Sequence, residues 1–535
     1  MVQNFVFALG ALALFVSYRV LSSFIKTRRH ASQSRELGCR SPPKLREQDF
    51  LGINTIKEIL AASKGKRVPD LLVDRVKRVS TREGRRVDTF VQQQLLRQNV
   101  FTVDPKNVQA ILATQFQDFG LGSLRRNNFL PLLGNGIFTA DGEGWEHSRA
   151  MLRPNFAREQ VADLDLEERH VQNLMLALPV DSKSWTEELD IQKLFFRITI
   201  DTATEFLFGE SVDSQLINLP RKASSTSKSA HQEESVFATA FDNSQSWLAY
   251  RGQLGALSWL LNPKELQESN KQCHAFIDHF VELALKNTSS DGDNLEKGET
   301  KSRYVFLENL ARQTRDPIEI RSQLLNILLA GRDTTASLLS WLFHFLIRHP
   351  NIQQTLRAEI IASFGPYSSP RNLSFAGLKN CTYLQWCLNE TLRLYPVVPV
   401  NSRMAMRDTS IPRGGGPDGS APVYVRKGDL VVYSVHVVHR RPDLWGPDFN
   451  EFKPERWSGK RAGWDYLPFN GGPRICLGQQ LALTEAGYVT VRLLQRFGEV
   501  GMGSQEVVAE SPKQNLTLTS CPNDGVWVRM KEAKE

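Results

Sequence analysis

The sequence predicts a mainly helical (α+β) fold: a large helical domain with a smaller β-rich region, preceded by one N-terminal membrane-spanning helix. Three observations predict it. Apolar residues recur at helical spacing over most of residues 145–285 and 305–400, short β-rich stretches at Thr89–Leu96 and Val100–Val103 come before them, and an apolar run occupies the N-terminus. The chain has 535 residues, 41% apolar and 23% charged, which is ample for a large packed core and excludes a disordered or collagen-like chain. Its 25 Pro and 35 Gly are scattered rather than gathered into linkers, so residues 46–535 are expected to form one large domain.

The apolar run extends from Phe5 to Tyr18 and continues through Arg19 to Ile25, about long enough for one spanning helix. Arg19 can snorkel toward headgroups beside Lys26, Arg28 and Arg29. There is no basic n-region and no small-x-small cleavage site, so residues 1–25 read as an anchor and not a cleaved signal. The net charge of +8 is local: Arg19 to Asp88 holds 18 Lys/Arg against 8 Asp/Glu, and the remaining chain has no basic surplus. That distribution suits anionic lipid headgroups and argues against a nucleic-acid partner. A positive flank after the helix places residues 26 onward in the cytoplasm, and Ser41-Pro42-Pro43 makes residues 26–45 a basic, proline-stiffened hinge. Six cysteines show neither a CxxC pair nor zinc-finger spacing, and a disulfide scaffold does not suit a reducing compartment.

Farther along, Asp104-Pro105 supplies the N-cap and first position of a short helix reaching Leu112. The polar stretch Arg221–Glu234 reads as a mobile loop. Asp316-Pro317-Ile318-Glu319 opens the longest helix, with Asp as cap and Glu placed to complete a capping box. Running from Pro317 to Arg348, it would span about 48 Å. Its middle, Ala330-Gly331-Arg332-Asp333-Thr334-Thr335, is polar between apolar flanks, and a glycine with two hydroxyls there predicts a local opening of the helix ladder.

The chemistry concentrates near the C-terminus. Phe469-Asn470-Gly471-Gly472-Pro473-Arg474-Ile475-Cys476-Leu477-Gly478 puts one thiol at the end of a glycine-rich loop and the start of a helix. Free amides and the helix dipole there favour a thiolate, and glycines let backbone approach a flat ligand. An isolated cysteine is usually only a small buried hydrophobe. These ten residues, however, match F-x-x-G-x-R-x-C-x-G, and on them the chain resembles the cytochrome P450 monooxygenases. The resemblance implies that Cys476 is the axial thiolate of a heme b iron, that Arg474 meets a heme propionate, and that Phe469, Gly472 and Gly478 shape the cofactor loop.

Three further stretches resemble family motifs in the expected order. Trp145-Glu146-His147-Ser148-Arg149 places Trp145 and Arg149 on one helix face, and the resemblance directs both to a propionate. Arg403 matches another propionate-contacting position. Ala330–Thr335 resembles the oxygen-activation segment, in which Asp333 and Thr334 would relay protons; back-bonding within the helix is assigned to Thr335. Glu390-Thr391-Leu392-Arg393 resembles the helix whose Glu and Arg join a downstream arginine, here Arg456, in a structural network. His436 and His439 sit in a strand-like context without a third ligand, so they are not read as a metal site. With neither a P-loop nor a G-x-G-x-x-G fingerprint, NADPH and flavin are expected on a separate cytochrome P450 reductase.

Stretches such as His147–Phe156 and Phe237–Gly255 look like the fungal alkane and fatty-acid hydroxylase branch. They imply a lipophilic long-chain substrate hydroxylated with dioxygen at or near its terminus, by an enzyme held in the endoplasmic reticulum membrane with its catalytic domain in the cytoplasm. Oxidation of a polyketide or terpenoid intermediate in secondary metabolism is the alternative. A heme-thiolate isomerase or dehydratase, which often alters the acid–threonine segment, and a heme sensor are lesser ones.

Overall fold

The computed structural model describes the chain except for residues 1, 46–48, 50, 95–96, 158–161, 163, 217–227, 291–304, 508–510 and 535. It divides into two compact units: residues 1–53, 74–120 and 402–433 form one, and residues 54–73, 121–401 and 434–535 the other.

The first unit begins with helix α1, Val2–Glu36. The helix stops where Gly38 takes φ +64°, which lets the Cys39 amide reach back to the Ser34 carbonyl at 2.8 Å. Leu14, Phe15, Tyr18, Leu21 and Ile25 on α1 are all exposed. Among the described residues no helix is long and apolar enough to cross a membrane, so the spanning segment expected at residues 1–25 is not found as such. The basic residues expected in the hinge continue α1 as far as Glu36. Beyond them the Arg40 amide bonds to the Pro422 carbonyl, and Pro43 and Leu45 exchange backbone bonds with Val91, which ties this stretch down.

The β region of this unit is a five-stranded sheet in the order Thr89–Gln94, Arg97–Thr102, Leu430–Tyr433, Asn401–Ala405, Phe119–Gly120. Its first pair is an antiparallel hairpin in register Thr89↔Thr102 to Gln94↔Arg97, and its second runs parallel. Asp104 caps the following helix as expected, accepting from the Lys106 amide. That helix ends as α at Gln109 and continues as a π-helical turn, Ala110–Thr114. Buried Asn107 binds the hydroxyls of Thr89 and Thr102 and the Arg413 carbonyl, and so links this sheet to a separate strand, Thr409–Gly415.

The second unit is helical. Its principal helices are α2 (Gly122–Leu133), α3 (Glu143–Leu152), α4 (Ile191–Phe208), α5 (Lys228–Leu254), α6 (Lys264–Ser290), α7 (Pro317–Leu346), α8 (Thr382–Leu394) and α9 (Gln479–Arg496). Helix α5 begins at Lys228, inside the stretch expected to be a loop; residues 221–227 of that stretch lie outside the described residues. Asp316 caps α7 through the Ile318 amide at 2.9 Å, but Glu319 closes no capping box: its carboxylate takes His147 Nε2 at 2.7 Å.

Two apolar cores divide α7 between them. Ile320 to Leu329 pack with Phe237, Phe241, Ile277 and Phe306, whereas Ala336 to Ile347 pack with Phe195, Leu384, Leu388, Val489 and Leu493. The polar stretch Ala330–Thr335 falls in the seam between the cores, which is where a helix buried along its length can carry hydroxyls and charges without interrupting either one.

Candidate active site

The cysteine loop closes on itself. Asn470 and Gly472 take φ +65° and +71°, the Ile475 amide bonds to the Gly472 carbonyl, and the Cys476 amide donates to the Phe469 carbonyl at 3.1 Å. A side chain at Gly471 would meet the Trp464 ring at 2.8 Å, so only glycine lets the loop pass. Gly478 starts α9, and a Cβ there would rest 3.6 Å from Phe156.

Cys476 has an exposed side chain, yet burial among surrounding atoms pushes its thiol pKa up. The Gly478 amide and the Arg149 guanidinium oppose that rise by stabilising the thiolate. Among the described residues no group of three His, Cys, Asp or Glu side chains could hold a bare metal ion. One thiolate backed by an amide and a cation suits iron whose other ligands come with a macrocycle.

Helix α3 supplies the flank. Arg149 Nη1 donates to the Ile475 carbonyl at 3.1 Å, and the guanidinium carbons of Arg474 and Arg149 lie 4.4 and 5.8 Å from the centre of the buried Trp145 ring. Arg474 also pairs with Asp141 at 2.7 Å. Asp141 is a hub, since its other bonds take the Leu121 and Gly122 amides that open α2. Arg403 belongs to the first unit, where it is buried and its guanidinium carbon stands 5.9 Å from the Tyr433 ring centre.

In the seam of α7, Asp333 is buried 3.4 Å from Arg332, and Arg332 makes a two-bonded pair with Asp242 of α5. Burial raises the Asp333 carboxyl, Arg332 lowers it, and Gln245 of α5 supplies a hydrogen bond. The ladder does not open: α7 is continuous, and the Thr334 hydroxyl returns to the Ala330 carbonyl at 2.5 Å. Back-bonding therefore belongs to Thr334, not to Thr335 as expected. The Thr335 hydroxyl instead bonds to Glu485 of α9, which also accepts from Thr202 of α4 at 2.6 Å. Burial pushes the Glu485 carboxyl up to about 7.

Beneath the loop, Glu390 and Arg393 of α8 are fully buried and joined by two bonds of 2.8 Å. Glu390 also receives Arg456 Nε at 3.2 Å, Trp457 Nε1 at 3.0 Å and the Lys453 amide at 3.0 Å. His436 and His439 lie on a single helical turn, Val435–Val438 and its cap, and not on a strand. Nε2 of His439 accepts from the Leu467 amide at 2.8 Å, which assigns the proton to Nδ1 facing the Arg393 carbonyl, and burial takes the imidazole down to about 3. It is a structural link from α8 to the cysteine loop.

Sequence reasoning missed Asp141, Asp242 and Glu485. Each is an ordinary acidic residue in its own neighbourhood; Asp141 stands 333 positions from its arginine. A carboxylate at the ninth position past the cysteine, on the inner face of an apolar helix, was the one available signal for Glu485.

A mainly helical fold with one cysteine in a glycine loop, arginines beside it and an acid–hydroxyl seam on a long helix is the arrangement that the resemblance to heme-thiolate oxygenases implies. The sequence model of the cytochrome P450 family matches residues 79–524, and the chain belongs to that family. It is 50% identical to cytochrome P450 monooxygenase g430 of a Fusarium species over 517 residues, 96% of this chain and 88% of that protein. It is 44% identical to cytochrome P450 52A6 of Candida tropicalis over 531 residues, 98% of this chain and 96% of the relative. With cytochrome P450 52A4 of Candida maltosa it shares 51% over 435 residues, 80% and 78% of the two chains. The protein is thus a monooxygenase whose cofactor is heme, with NADPH electrons reaching it through a reductase.

Proposed function

We propose that this chain hydroxylates long aliphatic molecules at or near the chain end, with Cys476 as the axial ligand of its heme. The observation that carries the assignment is the Cys476 loop, where the Gly478 amide and Arg149 both stabilise a thiolate. When bound, a thiolate-ligated heme supplies dioxygen activation, because the thiolate pushes electron density that favours O–O cleavage.

The residues of the chain do the rest. Arg149, Arg474 and Trp145 would hold the propionate edge, and Phe469, Gly472 and Gly478 would give the loop its shape. Asp333 is buried in the seam beside Arg332, and Thr334, half-buried on the next position of α7, would relay protons with it once its hydroxyl leaves Ala330. Glu390, Arg393 and Arg456 keep the floor of the site rigid. The exposed apolar side chains of α1 and the basic residues after them support anchoring in the endoplasmic reticulum membrane, with the catalytic part in the cytoplasm.

The test is the carbon monoxide difference spectrum of the reduced, detergent-solubilised protein, followed by turnover with dodecane and dodecanoic acid. A strongly red-shifted Soret band that Cys476→Ala abolishes, together with NADPH-dependent terminal alcohols, is the expected result. A neutral-ligand band in intact protein removes Cys476 from its role.

A further inference from the structure

We propose that Asp242 is a positioning residue for proton delivery: by taking both bonds of the Arg332 guanidinium, it keeps that cation from locking onto Asp333. This rests on the relay proposed above for Asp333 and Thr334, and it names what leaves the acid of that pair free to exchange a proton.

Arg332 stands between two carboxylates. Its Nη1 and Nη2 bond to the two oxygens of Asp242 on α5, whereas it approaches Asp333 through a single Nη1–Oδ1 contact of 3.4 Å. That contact is not a hydrogen bond: Oδ1 of Asp333 is buried and, among the described residues, accepts none. Nε of Arg332 is likewise buried and donates to none of them. A buried carboxylate beside a buried cation ordinarily draws the cation's donors to itself. Here the fork points to α5 instead. Asp242 can hold its charge at low desolvation cost, since 58% of its side chain is exposed against 6% for Asp333.

The consequence for Asp333 is electrostatic. Arg332 lowers its carboxyl, and Asp242 raises it as a nearby like charge. Asp242 raises it a second way, because a guanidinium committed to one carboxylate does less for another. An acid pinned in its ionised form passes protons poorly, since its pKa is drawn away from the operating pH. Gln245, three residues farther along the same side of α5, gives Asp333 a neutral donor. The remaining elements around this stretch of α7 add no free charge to it. Cys273 of α6 and Cys521 of the strand Ser520–Pro522 bring thiols that burial pushes up to about 12. Phe196 of α4 brings a ring 5.8 Å from the Arg332 guanidinium carbon, and Glu485 of α9 bonds to Thr335 and Thr202.

The experiment uses the full-length, heme-loaded protein in detergent. Infrared difference spectra from about pH 5 to 9 follow the protonated-carboxyl band that Asp333→Asn removes, and peroxide formed per NADPH consumed is measured with dodecane over the same range. The infrared measurement needs no substrate, so it stands even if the aliphatic reading fails. Asp242→Asn is expected to lower the midpoint of the band by about one pH unit or more and to raise peroxide about three- to tenfold. Asp242→Glu should bring both back toward wild type. Adding Arg332→Gln to Asp242→Asn should raise the midpoint again, because the cation that pinned Asp333 is gone; a merely structural ion pair predicts no such recovery. If the double variant does not retain heme, the midpoints of the Asn and Glu variants decide alone. An unchanged midpoint in Asp242→Asn overturns the proposal. So does wild type without an Asp333 band, for the acid would then be ionised throughout with Asp242 in place. If Asp333→Asn raises peroxide and Asp242→Asn does not, the positioning role alone falls. If Asp333→Asn itself leaves peroxide unchanged, the relay falls and the positioning role with it.

Discussion

Glu390 and Arg393 meet as a parallel fork, 2.8 Å along each arm, with neither side chain exposed. A pair three residues apart on a helix surface is worth well under about 1 kcal/mol. Here, removing one partner strands the other: Glu390→Ala leaves Arg393, Arg456, Trp457 and the Lys453 amide without their shared acceptor. The expected cost is about 3–5 kcal/mol, read by chemical unfolding together with heme content. A change below about 1 kcal/mol would show that the network tolerates the gap.

Thr334 and Thr335 are adjacent but face different partners, Ala330 and Glu485. Thr334→Ala should keep heme and fold while diverting electrons to hydrogen peroxide, measured as peroxide formed per NADPH consumed. Thr335→Val should leave that ratio near wild type and lower stability by about 1–3 kcal/mol, because a buried carboxyl loses a donor. Reversal of the two phenotypes would assign proton delivery to the Thr335–Glu485 pair.

Glu485 makes stability depend on pH. Its folded-state pKa of about 7 lies above the ordinary 4.5, so between those values the folded state binds more protons than the unfolded one. Its contribution is therefore fully present below about pH 4.5 and is lost as pH rises through 7. Unfolding of wild type and Glu485→Gln at pH 5 and pH 8 isolates the effect: the variant should gain relative to wild type at pH 8, by at most about 3 kcal/mol. A pH-independent difference would mean that the carboxyl is ionised in both states.

The site divides cleanly by how far apart its partners lie in the chain. The cysteine loop, the Trp145–Arg149 face and the Glu390–Arg393 turn were all legible, because each places its residues within one loop or one or two helical turns. Asp104 and Asp316 were legible as caps for the same reason, since each bonds an amide two residues away. Glu319 was misread: local spacing allowed a capping box, and His147 on another helix competed for its carboxylate.

The sequence by itself determined the family, the cysteine in its glycine-rich loop, the long helix and the polar segment at its middle, for these are written in short-range pattern and spacing. Only the tertiary structure decided which of two neighbouring threonines turns back on its own helix and which meets Glu485, and that Asp141 holds Arg474. Those outcomes depend on which distant side chains arrive in the same low-dielectric space, where pairing decides whether a charge is stabilised or stranded, and no local pattern encodes that arrival.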